Sequence, residues 1–235
     1  MHSLRTAAVL ALIAALLVVG CTKVGPVQTE TQTVDLEGAT TARAEVVMGA
    51  GRLRVSGGAA PEQILNADFT YNVAAWQPEI DYRVSDGRGT LSVQQPTVTE
   101  APIDGARYEW DLRFNEAVPT ELYITLGAGE SAFDLGTLSL TWLDITMGAG
   151  NVSLDLAELQ ARDLDAQITG GVGKLMVQLP SEVGVRVEVR GGLGRLLVTG
   201  LTREDNTYYN DAYGTAEQTL RMRIDGGVGE IELKG

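Results

Sequence analysis

Histidine and cysteine are nearly absent from this sequence, one of each, and their scarcity rules out much chemistry before any pattern is read. His2 lies inside the segment read below as a leader, so the chain from Cys21 to Gly235 has no histidine. A Ser-His-Asp or Cys-His nucleophilic apparatus and any histidine-bound metal are thereby excluded. The commonest general base near neutral pH is missing as well. Cys21 has no second cysteine to pair with, so no internal disulfide supports the fold, and stability has to come from apolar burial. Positive charge is also scarce. Eighteen Lys and Arg stand against thirty-one Asp and Glu, a net charge of −13. Such a surface repels phosphate backbones, which excludes nucleic acid as a partner, and it repels anionic lipid headgroups.

Long apolar runs are the next scarcity. The one present, Thr6 to Val19, has fourteen uncharged residues, and the uncharged stretch ends by Thr22. A spanning helix needs about 20 apolar residues. A short apolar run behind a weakly positive start (Met1 to Arg5) instead reads as a secretory leader. This places a signal helix over residues 1–20. Val18-Val19-Gly20-Cys21 is similar to the lipobox of bacterial lipoproteins, in which a small residue precedes the cysteine that is acylated. Cys21 is therefore expected to be the lipidated first residue of a mature chain held at the bilayer by its acyl groups, in the cell envelope outside the cytoplasm. Residues 21–32, rich in Thr and Gln, read as a flexible tether reaching about 15–20 Å. An alternative is that Val24 and Val27 begin a first edge strand.

What the sequence has in abundance is glycine, twenty-eight residues of it, in a repeating pattern. An apolar residue, a Gly-x-Gly and alternating apolar residues recur at Met48-Gly49-Ala50-Gly51, Leu126-Gly127-Ala128-Gly129, Met147-Gly148-Ala149-Gly150, Gly171-Val172-Gly173, Gly192-Leu193-Gly194 and Gly227-Val228-Gly229. A weaker copy is Gly87-Arg88-Gly89. Flanking residues such as Leu143, Ile145 and Met147, or Val183, Val185 and Val187, alternate with period two, the mark of strands with one buried face. The spacing from Gly129 to Gly150 to Gly173 to Gly194 is near-constant, which signals stacked units. These patterns predict an all-β, Gly-rich β-solenoid with one coil per repeat, each coil seated on its predecessor. A stack of hairpins or a sandwich is the alternative. Gly150, Gly173 and Gly194 are expected at equivalent corners that need φ > 0 or close backbone approach.

Met48-Gly49-Ala50-Gly51-Arg52-Leu53-Arg54-Val55, with Ala67 to Asn72 and Pro78 to Tyr82 after it, resembles the bacterial toast-rack domain. The Gly-Val-Gly and Gly-Leu-Gly coils beyond it resemble adhesin-like β-solenoids and the terminal domain of cell-wall-active-antibiotic response proteins. The resemblance implies a repetitive all-β fold over residues 40–235. The chain divides accordingly into a toast-rack region with an aromatic cap (33–120) and a run of Gly-x-Gly coils (121–235).

Two segments interrupt the repeat. Residues 59–120 hold seven of the thirteen aromatics, among them Trp76 and Trp110. They could be a platform for sugars, but a cap over the open end of the solenoid is favoured, because such ends need covering. Within this segment, residues 97–105 read as an exposed loop. Thr202 to Thr215 lengthens the last repeat and carries Asp205, Asn206, Tyr208, Tyr209, Asn210, Asp211 and Tyr213. It lacks the D-x-D-x-D-G order of Ca²⁺ loops. No metal or cofactor is expected, and a packed loop is the plainer reading, yet Tyr208, Tyr209, Asp211 and Tyr213, with Trp76 and Trp110 as a second patch, are the candidate ligand-binding residues. Acids such as Asp163 and Asp165 alternate with Leu164 and read as a solvated strand face, with no distinctive pair for carboxylate catalysis. The function expected is non-catalytic: an anchored binding, adhesin-like or structural domain whose partner is a cell-wall glycan or an envelope protein. An envelope-stress accessory and a carboxylate-based polysaccharide enzyme are the alternatives.

Overall fold

The computed structural model describes residues 24–96, 104–159 and 162–235. The segment read as a leader, Cys21 and most of the 97–105 loop lie outside the described residues. Fourteen strands follow in order: β1 (Gln28–Asp35), β2 (Thr41–Gly57), β3 (Gln63–Tyr71), β4 (Glu79–Ser85), β5 (Arg88–Gln94), β6 (Tyr108–Phe114), β7 (Thr120–Asp134), β8 (Leu140–Asp155), β9 (Leu164–Thr169), β10 (Val172–Gln178), β11 (Gly184–Thr199), β12 (Thr202–Glu204), β13 (Thr207–Tyr209) and β14 (Thr219–Lys234). One 3₁₀ turn at Ala74–Trp76 is the sole helical element among the described residues. No helix there is long and apolar enough to cross a membrane.

The long strands β2, β7, β8, β11 and β14 each bend once, at their Gly-x-Gly, into two arms. Strands β9 and β10 are the two arms of one further coil, parted at Gly170-Gly171. First arms stack in parallel as β5-β2-β7-β8-β9-β14-β11, and second arms as β6-β2-β7-β8-β10-β14-β11. The result is one continuous sheet creased along a line of glycines, with the core inside the fold. Gly150 shows why the crease demands glycine. Its φ is +130°, and a Cβ placed there would fall on the carbonyl oxygen of Gly129 in the coil below. Gly173 stands in the same relation to Gly150, and Gly194 to Gly229. Stacked coils can keep their ladder through the bend only if no side chain stands between backbones.

Side chains alternate inward and outward from this crease, so each inward position builds a column running through the whole stack. One column is Glu30, Phe69, Trp110, Leu53, Ser131, Val152, Leu175, Ile231 and Leu196. Another, in the first arms, is Leu91, Ala44, Leu122, Leu143, Ala166, Met222, Val187 and Tyr208. The outer faces carry charges that pair across neighbouring coils, such as Arg52 with Glu109 and Glu130, or Lys174 with Glu230 and Glu232.

Three expectations need correction. The coils do not all sit on their predecessors: β14 lies between β10 and β11, so the glycine ladder runs Gly150, Gly173, Gly229, Gly194. Equal spacing reports the length of a coil, not its place in the stack. The lengthened interval before β14 is the return path that carries the chain from the end of the stack back into the gap. Gly87-Arg88-Gly89 is no corner but the tight turn joining β4 to β5, with Asp86 (φ +52°) and Gly87 (φ +76°) as its central residues, the Asp-Gly signature of a hairpin. The tether gives way to structure early. Residues 28–32 already pair with β3, and the Gly25 N–H donates to the Asn72 carbonyl, so the edge-strand alternative describes this stretch better. Strands β2 and β7 pair along both arms, so the sheet passes residue 120 without a break.

Candidate functional site

The candidate residues fall at opposite ends of the stack. Trp110 and Trp76 are at the β1 end and are buried, 2% and 6% exposed. Trp110 packs edge-on to Phe69 and Tyr108, each 5.5 Å between centroids, and Trp76 packs edge-on to Tyr108 at 5.6 Å. Burial pushes the Tyr108 phenol well above its ordinary range. No ring face here is free to stack on a sugar, so the platform reading of Trp76 and Trp110 is corrected to the cap. Over this cluster β1 lays the column end Glu30, whose carboxylate accepts from Tyr71 Oη (3.2 Å), Gln77 Nε2 (3.0 Å) and Gln32 Nε2 (2.7 Å). Beside it Asp68 accepts from Thr31 Oγ1 and Arg113, and these two bonds, the Thr31 one foremost, hold its carboxyl below the usual range.

The tyrosine segment is at the other end, on β13 and the loop after it. Strand β13 pairs with the first arm of β11 and with β12. Tyr208 is 4% exposed and closes the first-arm column over Val187; it is a plug, not a ligand contact. Asn210 also serves the fold. Its Oδ1 accepts from Val185 N, and its Nδ2 donates to the carbonyls of Pro180 and Val183. The outward members are Tyr209, Asp211 and Tyr213, with the Tyr209 and Tyr213 rings 4.8 Å apart and Tyr213 40% exposed. The segment thus splits into a structural half and a solvent-facing half, and only the latter can meet a ligand.

The outer face of the first arms holds two aromatics that the sequence reading passed over. The Arg43 guanidinium lies 3.9 Å from the centroid of the Tyr123 ring. Trp142 borders a shallow depression of about 250 Å³ with Asp165, Gln167, Glu188, Arg221 and Arg223 among its walls. Burial holds the Asp144 carboxyl above its usual range. The signal that could have found these residues is parity: Tyr123 and Trp142 alternate with the buried Leu122, Ile124 and Leu143. Asp163 and Asp165 both face Arg221, and Asp163 also accepts from Thr219 N at 2.8 Å. Asp165 lies on the solvated face of β9, as expected, and Asp163 stands just before that strand, equally open to solvent. Among the described residues no group of His, Cys, Asp or Glu is arranged to hold a metal ion.

A creased, mostly parallel sheet with a glycine ladder, an apolar interior and ion-paired outer faces defines a class of repetitive all-β scaffold. Residues 23–178 match the model of the N-terminal domain of toast_rack, DUF2154, and the chain belongs to that family. A crystal structure from Clostridium sporogenes ATCC 15579, described as a "putative cell adhesion protein", is similar to this chain at 33% identity. The match spans 89% of this chain and 99% of that one, with a TM-score of 0.85. A "putative adhesin" from Bacteroides fragilis NCTC 9343 matches over 88% and 97% of the two chains, at 10% identity and a TM-score of 0.33. Among curated proteins none matches.

Proposed function

We propose that this chain is a lipid-anchored envelope protein whose β-stack is a non-catalytic, adhesin-like spacer that carries a binding tip away from the membrane. The observation that carries the proposal is the placement of the two ends. Strand β1, which follows the lipobox-like Val18-Val19-Gly20-Cys21 by a few residues, edges the stack on one side. Tyr209, Asp211 and Tyr213 sit beyond β11 on the other. Seven strands separate β1 from β11 in the second-arm face, and the eight inter-strand steps at about 4.8 Å each make a spacer of about 40 Å. The similarity to a chain described as a cell adhesion protein supports the same reading.

The test has two parts. Cys21→Ser should abolish incorporation of labelled fatty acid and release the protein from membranes or leave unprocessed precursor; equal membrane retention without precursor sinks the anchor. A fragment of residues 22–235, which contains every described strand, should be screened against glycans, peptidoglycan fragments and Ca²⁺. Saturable binding that Tyr213→Ala removes without changing the melting temperature supports the tip as the contact. Turnover of a polysaccharide abolished by one Asp or Glu substitution would replace this reading with an enzyme.

A further inference from the structure

The second arm of β11, Gly191 to Thr199, is an open edge. Strand β14 pairs with it on one side, while β13 reaches only Arg186 to Glu188 of the first arm. The column that begins under Glu30 and is buried at Trp110, Leu53, Val152 and Leu175 ends here at Leu196, 38% exposed. Leu193 (76%) and Leu197 (41%) lie on the same strand, and Val172 and Val228 continue the apolar line along the crease. Under the crease the inward residue is Met48, Leu126 and Met147 in the early coils but Gly170, Gly226 and Gly191 in the late ones. The missing side chains leave a cavity of about 100 Å³ bordered by Met147, Leu175, Ile224, Ile231 and Leu196. The core is thus open at this edge.

We infer that a second copy of this chain covers the edge, with β11 pairing antiparallel to β11 of its partner about a twofold axis at Leu196. Three observations select this occupant. The first is hydrogen-bond direction. The Thr199 carbonyl accepts from Gly235 N in the β14 direction. Alternate residues of a parallel strand bond to opposite sides, so Gly194, Leu196 and Val198 turn their N–H and C=O groups outward. These are the residues whose side chains face the interior. A twofold axis at Leu196 sets Leu196 against Leu196 and Gly194 against Val198 of the partner, matching donors to acceptors in about six hydrogen bonds while the two apolar interiors become one. The second is charge. In this register Arg195 meets Leu197 of the partner, and no like charges face each other, whereas an axis at Arg195 would oppose two guanidiniums. The third excludes the other exposed edge. Strand β1 points Gln28, Glu30 and Gln32 toward the interior face, so a head-to-tail joint would set a carboxylate against Leu196 and bury it.

The geometry has a functional consequence, which rests on the anchored-spacer reading. Because β1 and β11 are at opposite ends of the stack, an edge-to-edge dimer makes a double-length spacer of about 80 Å with its two anchor ends pointing away from each other. Copies on facing membranes could join through it, a homotypic bridge.

Light scattering on the 22–235 fragment should show a dimer that Leu196→Glu converts to a monomer with an unchanged far-ultraviolet β spectrum and a melting temperature that no longer depends on concentration. Leu196→Cys should form an interchain disulfide under copper–phenanthroline and dioxygen, since directly opposed residues of such a pair lie about 5.5 Å apart at Cα, within reach of a disulfide; Met176→Cys, on the outer face, should not. Thr22→Cys fragment coupled to maleimide-bearing vesicles should cluster them, and the Leu196→Glu form should not; chemical coupling keeps this arm independent of whether Cys21 is acylated. A monomer at every concentration, a dimer indifferent to Leu196→Glu, or cross-linking of Leu196→Cys to Val34→Cys on β1 would overturn the inference. Dimers that fail to cluster vesicles would overturn the bridge.

Discussion

The two ends of the second-arm face meet the same physical problem and answer it oppositely. At one end the interior column passes from Trp110 and Phe69 to Glu30, a carboxylate satisfied by three donors, and the edge strand β1 is polar throughout except for Val34. An inward-pointing charge on an edge strand is a barrier to further pairing. At the other end the column runs out at Leu196 with nothing above it. The first arms at that same end are closed by Tyr208, so the chain has the means to finish a column and uses it on one arm only. The contrast teaches that a solenoid's end is a place where association is permitted or refused, residue by residue.

The contrast can be broken from either side. Trp110→Ala, at the sealed end, should cost about 3–5 kcal/mol by opening a cavity in a closed core, measured as a shift in the denaturant midpoint. Leu196→Ala, in the same column at the open end, should cost well under half of that in the monomer. Equal costs would show that the two ends are sealed alike. Gly173→Val, in mid-stack, should destabilise by about 3 kcal/mol or more, because it combines a φ of +142° with a Cβ driven onto the Gly150 carbonyl; an unchanged midpoint would refute the glycine ladder. Glu30→Leu should leave the fold in place yet convert the refusing end into a permissive one, giving concentration-dependent assembly through β1 on sizing columns. Least in size is an effect of acid. The Thr31 hydroxyl and Arg113 lower the Asp68 pKa, so its contribution is present above the unfolded value of about 3.9 and is lost as pH falls through the folded one. The melting difference between the wild type and Asp68→Asn should shrink below about pH 4; a difference that is constant down to pH 2.5 would show that the pair plays no part.

Much of this architecture was legible in the residues themselves. Period-two alternation around each Gly-x-Gly announced the arms, and the equivalence of Gly150, Gly173 and Gly194 followed from their shared need for backbone contact. Coil order was not legible, because β14 carries the same motif as its neighbours and nothing local distinguishes a coil placed next from one placed last but one. The Gly87-Arg88-Gly89 copy misled for a related reason: glycine serves a hairpin and a crease equally well. The tyrosine segment was located correctly as a departure from the repeat. Which of its members face outward was not visible, since burial of Tyr208 depends on β13 lying against Val187, a long-range pairing without a sequence signature. Tyr123 and Trp142 are marked as outward only by their parity with Leu122, Ile124 and Leu143, a faint signal because single aromatics on an alternating strand resemble ordinary packing.

The position of β14 also sets a timetable for synthesis. The arms of β11 emerge from the ribosome before β14 does, yet their only parallel neighbour is β14. Until β14 is made, β11 has just the short β13 to lean on, and β10 and β9 each present a naked edge to whatever is nearby. The early coils can close in the order they are translated, whereas the late ones must wait with two unpaired edges, a state in which strands are prone to stray pairing. Insertion of β14 then joins both at once. Chains halted at Gln218 should therefore be far more aggregation-prone than chains halted after Asp155, although they are longer and contain more of the finished protein.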